Sequence, residues 1–76
     1  MNRMVTNNLS TILGKRLLKI TTVARATKIS RTTLTNLFYR RSSYITFDVL
    51  DRLCRYLKCD VGELFEFVDN GEEIAG

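Results

Sequence analysis

Residues 21–41 are TTVARATKISRTTLTNLFYRR, two short helical patterns separated by a tight turn. In the second pattern Leu34, Leu37 and Phe38 recur at three- and four-residue spacing, which predicts a helix over 30–39. The opposite face of this helix carries Ser, Arg, Thr, Asn and Tyr, and it carries no glutamate. A face that is only solvated usually carries Glu, Lys or Gln, because these residues favour helix formation. The composition of this face therefore indicates a function.

The first pattern, residues 21–27, predicts a short helix with Thr21 as its N-cap. Lys28 and Ile29 are expected to form the turn, and Ser30 is expected to cap the following helix. Two short helices joined by a tight turn have the dimensions of a helix-turn-helix. In that motif the second helix lies in the major groove of DNA, which is wide enough to admit it.

Three further helices are predicted around this pair. An apolar stripe predicts a first helix over about residues 7–18, and its members are Leu9, Ile12, Leu13 and Leu17. A fourth helix, entered at Thr46 or Phe47, is predicted by the apolar residues Phe47, Leu50, Leu53, Cys54 and Leu57. Asp60 is the expected cap of a fifth helix, whose apolar residues are Val61, Leu64, Phe65 and Val68. No convincing strand is predicted. We expect an all-α fold of five helices, with a domain over 1–68 and an acidic, frayed tail over 69–76.

The composition narrows the class of protein. A chain of 76 residues with 45% hydrophobic residues is expected to form one small domain. No apolar run approaches the roughly 20 residues that cross a membrane, and the start lacks the apolar core of a secretion signal. We therefore expect a soluble protein of the cytoplasm, associated with the nucleoid when bound to DNA. Nothing in the sequence indicates a cofactor or a small-molecule ligand, and no nucleophile–base pair indicates an enzyme.

The two cysteines give too few ligands for a metal site in a chain without histidine. Cys54 lies among leucines and is expected to be a small buried hydrophobic residue. Cys59 is expected to be an ordinary residue at a helix end.

The charges are distributed unevenly along the chain. Nine basic residues and no acidic residue occur through Phe47, whereas eight acidic and three basic residues follow from Asp48 onward. This asymmetry indicates a positive surface for a polyanion. In the major groove, Arg can bond guanine bidentately, Asn can bond adenine, and Thr offers a hydroxyl and a methyl group. These residue types predict a DNA-contacting face made of Arg31, Thr32, Thr35 and Asn36.

The segment 21–41 resembles the helix-turn-helix of the phage-repressor (Cro- and XRE-like) family. The matching features are the Val23-Ala24 pair, Thr27, the Ile29-Ser30 turn exit and the S-R-x-T-L run from Ser30 to Leu34. The following ITFDVLDRLCRYLKCDVGELFE is similar to the fourth and fifth helices of that family. The resemblance covers about residues 9–68 and implies a compact, lambda-repressor-like five-helix domain.

The resemblance also implies roles for individual residues. The base-facing positions of the family match Arg31, Thr32, Thr35 and Asn36. The phosphate-facing positions lie at helix starts, where backbone N–H groups can hold a phosphate oxygen, and in the loop after the second helix. They match Thr21, Thr22, Ser30, Arg40, Arg41, Ser42 and Ser43. We include Lys28 and Tyr39 among the expected phosphate contacts.

The sequence departs from the family at three places. Lys28 stands where the family usually has Gly, and Tyr39-Arg40 stands where it often has Asn-Gly. If these turns keep a left-handed backbone, each non-glycine residue costs about 1 kcal/mol; the alternative is that the turns are rebuilt. Both replacements add positive charge near the expected DNA. Ile20 stands where relatives often have a phosphate-contacting Gln.

One helix-turn-helix contacts about half a turn of groove, and the solution of the family is a two-fold dimer on a palindrome. The fifth helix is the candidate interface, through Leu64, Phe65, Phe67 and Val68. The expected function is a sequence-specific regulator of transcription, a repressor, that binds double-stranded DNA as a homodimer. The alternative is a protein-interaction module, antitoxin-like or an accessory factor, that binds a partner protein through its C-terminal helix and acidic tail.

Overall fold

The computed structural model describes residues 3–69, which form five helices and two short strands. In chain order they are β1 (Arg3–Asn7), α1 (Leu9–Lys15), α2 (Ile20–Thr27), α3 (Arg31–Phe38), α4 (Phe47–Leu57), α5 (Val61–Leu64) and β2 (Phe65–Asp69). The five helices confirm the predicted helical framework. Residues 70–76 of the predicted tail lie outside the described residues.

The two strands correct the prediction that the chain has none. β1 and β2 pair antiparallel, with Val5 opposite Phe67 and Asn7 opposite Phe65. The fifth helix consequently ends at Leu64 and does not continue to Val68 as predicted. The segment FEF alternates apolar and acidic residues with the period of a strand, but a strand of five residues is stable only when paired. Its partner lies at the opposite end of the described chain, where local sequence patterns give no signal.

The core lies between the helices and consists mainly of leucine. Seven core side chains are almost completely buried, namely Leu9, Leu13, Val23, Leu34, Leu53, Leu57 and Leu64. Burial of each such side chain contributes about 1.5–3 kcal/mol to folding. Ala24, Ile29 and Leu37 complete the cluster. All five helices thus supply core residues, and α3 contributes one side of its surface.

The first helix is shorter than predicted, and one residue of its apolar stripe is exposed. Leu17 adopts a left-handed backbone with φ 55° after the end of α1, and its side chain is 90% exposed. The backbone N–H of Leu18 bonds the carbonyl of Leu13 at 2.9 Å, and Leu18 packs against the core instead. The prediction for Leu17 is wrong because α1 ends at Lys15, before the last residue of the apolar stripe. With the left-handed backbone at Leu17, the next residue, Leu18, takes the place against the core.

The turns that lack glycine keep a left-handed backbone. Lys28 has φ 66°, Arg40 has φ 58° and Lys58 has φ 54°. After α3 the N–H of Arg41 bonds the carbonyl of Asn36 at 2.7 Å, the pattern of a Schellman cap. Of the two alternatives for Lys28 and Arg40, the strained turn is therefore the one adopted. Each such residue costs about 1 kcal/mol relative to glycine.

The turn between α2 and α3 is fixed from two sides. The buried Thr27 donates its hydroxyl to the carbonyl of Val23 at 2.7 Å and accepts the N–H of Ile29 at 3.3 Å. Arg52 on α4 donates to the carbonyl of Thr27 at 3.0 Å. A second arginine, Arg16, donates to a carbonyl at the end of α4. These bonds satisfy carbonyls at helix ends and hold the helix pair and α1 against α4.

The two thiols are free and half-buried at the end of α4. Burial raises the pKa of the Cys59 thiol, with a smaller contribution from the adjacent Cys54, so Cys59 is protonated at neutral pH. Both side chains pack against the core. Within residues 3–69, no three His, Cys, Asp or Glu side chains converge as metal ligands would. None of the described helices is both long enough and apolar enough to cross a membrane.

Candidate nucleic-acid interface

Helix α3 buries one face, and its other face is exposed at Arg31 and Thr32 and half-buried at Thr35 and Asn36. Leu34 and Leu37 lie in the core, as their spacing predicts. The opposite face brings the predicted base-facing residues together. They line one shallow surface depression, whose members are Arg31, Thr32, Thr35, Asn36 and Arg41. The structure therefore places all four predicted base-facing side chains on one continuous surface.

The start of α3 is capped by Ser30, as predicted. The Ser30 hydroxyl accepts the backbone N–H of Thr33 at 3.1 Å, and a second bond of 2.8 Å joins the two hydroxyls. The first turn of α3 contains no acidic residue. The positive end of the helix dipole is therefore not neutralised by a carboxylate of its own turn, and it favours a phosphate at this position.

The segment after α3 presents two arginines in different directions. Arg41 packs its guanidinium 5.2 Å from the ring centroid of Tyr39 and also lines the depression on α3. Arg40 donates from Nε to the hydroxyl of Thr6 on β1 at 3.0 Å, and within residues 3–69 its terminal nitrogens have no hydrogen-bond acceptor. Ser42 and Ser43 are exposed. Arg41 and both serines are thus accessible as predicted, whereas the bond of Arg40 to β1 does not follow from the sequence.

The start of α2 differs from the prediction. The helix begins at Ile20, its N-cap is Lys19, and no side chain caps it, so Thr21 lies within the first turn and is not the cap. The reason is that Ile20 packs against the core and extends the helix by one residue. Thr21 is exposed and Thr22 is half-buried.

Lys19 is an exposed cation at the start of α2 that the sequence analysis does not include among the expected phosphate contacts. The sequence signal for this residue is a cation that stands directly before an apolar helical pattern. Lys28, in contrast, is exposed at the turn, as expected of a phosphate contact.

Comparison with protein families decides the identity of this domain. A family model described as a Cro/C1-type HTH DNA-binding domain matches residues 8–70. The chain belongs to the Cro/C1-type HTH family. The resemblance of residues 9–68 to phage repressors is thereby confirmed, together with the helix-turn-helix and the five-helix framework.

A solved structure agrees with this assignment. The Cro/C1-type domain is similar to a crystal structure of the transcriptional regulator VanUg, form II, with a TM-score of 0.71 and 28% sequence identity. The alignment covers 90% of this chain and 89% of that chain. Among curated proteins, none matches the chain.

The acidic residues of the Cro/C1-type domain lie on the elements after α3. Two of them form ion pairs within α4, Asp48 with Arg52 at 3.1 Å and Asp51 with Arg55 at 2.8 Å. The two carboxylates at the start of α5 form a reciprocal capping box. Helices α1, α2 and α3 carry none. The helix pair therefore presents cations and hydroxyls to an approaching polyanion without an opposing charge of its own.

The predicted dimer residues of the Cro/C1-type domain do not form one surface. Leu64 is 1% exposed and belongs to the core, so it is not accessible to a partner. Phe65 and Val68 are half-buried. Phe67 is 62% exposed, and its cross-strand neighbour Val5 is 67% exposed. Of the predicted dimer residues, the exposed one is therefore Phe67, which forms an exposed apolar pair with Val5 on the two-stranded sheet.

Proposed function

We propose that this Cro/C1-type domain is a sequence-specific regulator of transcription that binds double-stranded DNA with α3 in the major groove. One observation carries the proposal, the gathering of Arg31, Thr32, Thr35, Asn36 and Arg41 on one surface of a helix-turn-helix. The similarity to the transcriptional regulator VanUg supports it. In this proposal the domain occupies an operator and excludes the transcription machinery, and it therefore acts as a repressor.

The proposed contacts divide into two classes. Base contacts determine the sequence, and they come from Arg31 to guanine, Asn36 to adenine and the two threonines to thymine methyl groups or hydrogen-bond partners. Phosphate contacts determine orientation and most of the affinity. We assign them to Thr21, Thr22, Lys28, Ser30, Tyr39, Arg40, Arg41, Ser42 and Ser43.

We propose further that the domain binds as a homodimer on a palindromic operator. A two-fold interface brings the same patch of both copies together, and the exposed Val5–Phe67 pair is an apolar patch suited to this. Burial of these side chains between two copies would remove their apolar surface from water and so stabilise the dimer. The two α3 helices would then enter successive major grooves, with half-sites about 10 base pairs apart.

The test is selection of bound duplexes from a random DNA library at near-physiological salt. We expect an enriched two-fold motif with half-sites about 10 base pairs apart, which would support both base recognition and the dimer. Binding without an enriched motif, and with an affinity that collapses as salt rises, would contradict the proposal, because it would indicate contacts to phosphates only.

The exposed Val5–Phe67 pair also supports a second candidate function, a module that binds another protein through the sheet. The two candidates differ in what the isolated chain does. A chain that is monomeric in solution and selects no DNA motif would favour the module. A dimer that selects a palindrome would favour the regulator.

A further inference from the structure

We infer that Asn7, on β1, is a positioning residue that sets the orientation of α3 and thereby the sequence specificity of DNA binding. This inference rests on the proposed function, because it concerns how that same face is held. Asn7 is only 8% exposed and lies at the junction of β1 with α1 and α3. It is outside the helix-turn-helix and has no access to DNA itself.

The side-chain amide of Asn7 forms hydrogen bonds through both its nitrogen and its oxygen. Its Nδ2 donates to the carbonyl of Leu37 in the last turn of α3, at 3.0 Å. Its Oδ1 accepts the backbone N–H of Leu9 at the start of α1, also at 3.0 Å. A buried amide with a donor and an acceptor in fixed positions requires both partners in place. Asn7 therefore ties the end of α3 to the start of α1.

The bond reaches the part of α3 where position matters most. Leu37 follows Asn36, one of the proposed base-contacting residues, and its carbonyl also accepts the N–H of Arg40 at 3.1 Å. The carbonyl of Asn36 accepts the N–H of Arg41 at 2.7 Å. Asn7 thus holds the turn that connects a proposed base contact to the proposed phosphate contacts. A bidentate contact tolerates little displacement, because hydrogen bonds weaken steeply when their angles deteriorate.

A second bond joins the same strand to the same end of α3. Thr6, next to Asn7, accepts a hydrogen bond from Arg40 Nε at 3.0 Å. Val5, which precedes Thr6 in β1, belongs to the proposed dimer surface. Three consecutive residues of β1 therefore connect the dimer surface, the proposed phosphate contacts and the end of the helix that contacts bases.

The test replaces one atom of the amide. In Asn7→Asp an oxygen can still accept the N–H of Leu9, but the other oxygen faces the Leu37 carbonyl and cannot donate. Asn8→Asp is the matched control, because Asn8 donates from Nδ2 to the carbonyl of Glu63 and the carboxylate of Glu66, and not to α3. We measure the ratio of affinities for the selected operator and a scrambled duplex, at a temperature where melting curves show each variant folded.

We expect Asn7→Asp to lower this ratio by at least about fivefold, the effect of one impaired base contact. Asn8→Asp is expected to keep the ratio within about twofold, since its site is independent of α3. If Asn7→Asp does not fold, Asn7→Ser serves the same purpose, because its hydroxyl can accept from Leu9 but is too short to reach α3.

A folded variant of Asn7 with the wild-type ratio would overturn the inference and leave the proposed function standing. Equal reductions of the ratio in the variants of Asn7 and Asn8 would also overturn it, because they would indicate a general effect of stability. A wild-type chain that does not distinguish the operator from the scrambled duplex would overturn the proposed function, and this inference with it.

Discussion

Lys28, Arg40 and Lys58 each occupy a left-handed position at the end of a helix, where glycine would cost less. Lys28 lies in the turn before α3 and Arg40 just after it, and in our proposal both cations attract a phosphate. At Lys58 no such benefit applies, because this residue ends α4 in the acidic half of the chain. In our proposal the first two positions exchange stability for binding, and variants of Lys28 and Lys58 test this.

Lys28→Gly is expected to raise the free energy of unfolding by about 1 kcal/mol, because glycine adopts φ 66° without strain. The same change is expected to weaken binding to all DNA sequences and to reduce the slope of log affinity against log salt by about 1. Urea denaturation and salt titration measure the two effects.

Lys58→Gly is the control for the preceding variant, since it removes a lysine with φ 54° from the end of α4, outside the helix-turn-helix. It should gain similar stability and keep its DNA affinity. An equal decrease of affinity in both variants would show that Lys28 acts only through net charge.

The neighbouring leucines after α1 permit a second comparison at this scale. Leu17→Ala is expected to change the free energy of unfolding by no more than about 0.5 kcal/mol, because the side chain is exposed. Leu18→Ala is expected to cost more than about 1 kcal/mol, because Leu18 packs against the core. Urea denaturation of both variants checks the order, and a larger cost at Leu17 would contradict the described end of α1.

At the scale of elements, α3 is the unit whose function is most directly testable. Replacing Arg31 and Asn36 with Ala is expected to remove base preference at two operator positions, because each bidentate hydrogen-bonded pair supplies about 1–3 kcal/mol of discrimination. Affinities for the operator and for single-base variants of it measure the effect. Unchanged discrimination would show that another surface contacts the bases.

Arg40→Ala with Arg41→Ala is the companion to the preceding pair of variants. It removes two positive charges from the segment after α3. We expect weaker binding to all sequences and a smaller salt slope. The contrast between the two double variants separates base contacts from phosphate contacts.

The elements also show which structural information is local in the sequence. Ser30 and Thr46 cap their helices as the patterns predict, because an N-cap depends on residues three positions apart. The core face of α3 follows from spacing alone. The strands could not be predicted, since five residues that alternate weakly become a strand only through a partner distant in the chain. The bond between Arg40 and Thr6 could not be predicted for the same reason.

At the scale of the whole molecule, the exposed pair Val5–Phe67 determines the oligomeric state in our proposal. Phe67→Ser is expected to yield a monomer. It should lower the affinity for a palindrome by at least about 100-fold, because the two half-sites are then bound by two separate molecules and not by one dimer. Binding to a single half-site should remain. Sedimentation equilibrium and titration of both duplexes measure these effects.

Val61→Ser is the control for the change at Phe67, because Val61 is also exposed but lies on α5 outside the sheet. It should remain a dimer. A monomer in the wild-type protein, or a dimer that persists in Phe67→Ser, would place the interface elsewhere.

The pairing of β1 with β2 has a consequence for the order in which the chain folds. Within each helix the backbone hydrogen bonds join residues close in sequence, whereas β1 remains unpaired until residues 65–69 are available. Contacts of such large sequence separation form late, because the loop that they close must first give up its conformational entropy. Substitutions in the two strands should therefore accelerate unfolding and leave the refolding rate almost unchanged. By this argument, the surface proposed for dimer contact is also the last to assemble and the first to open.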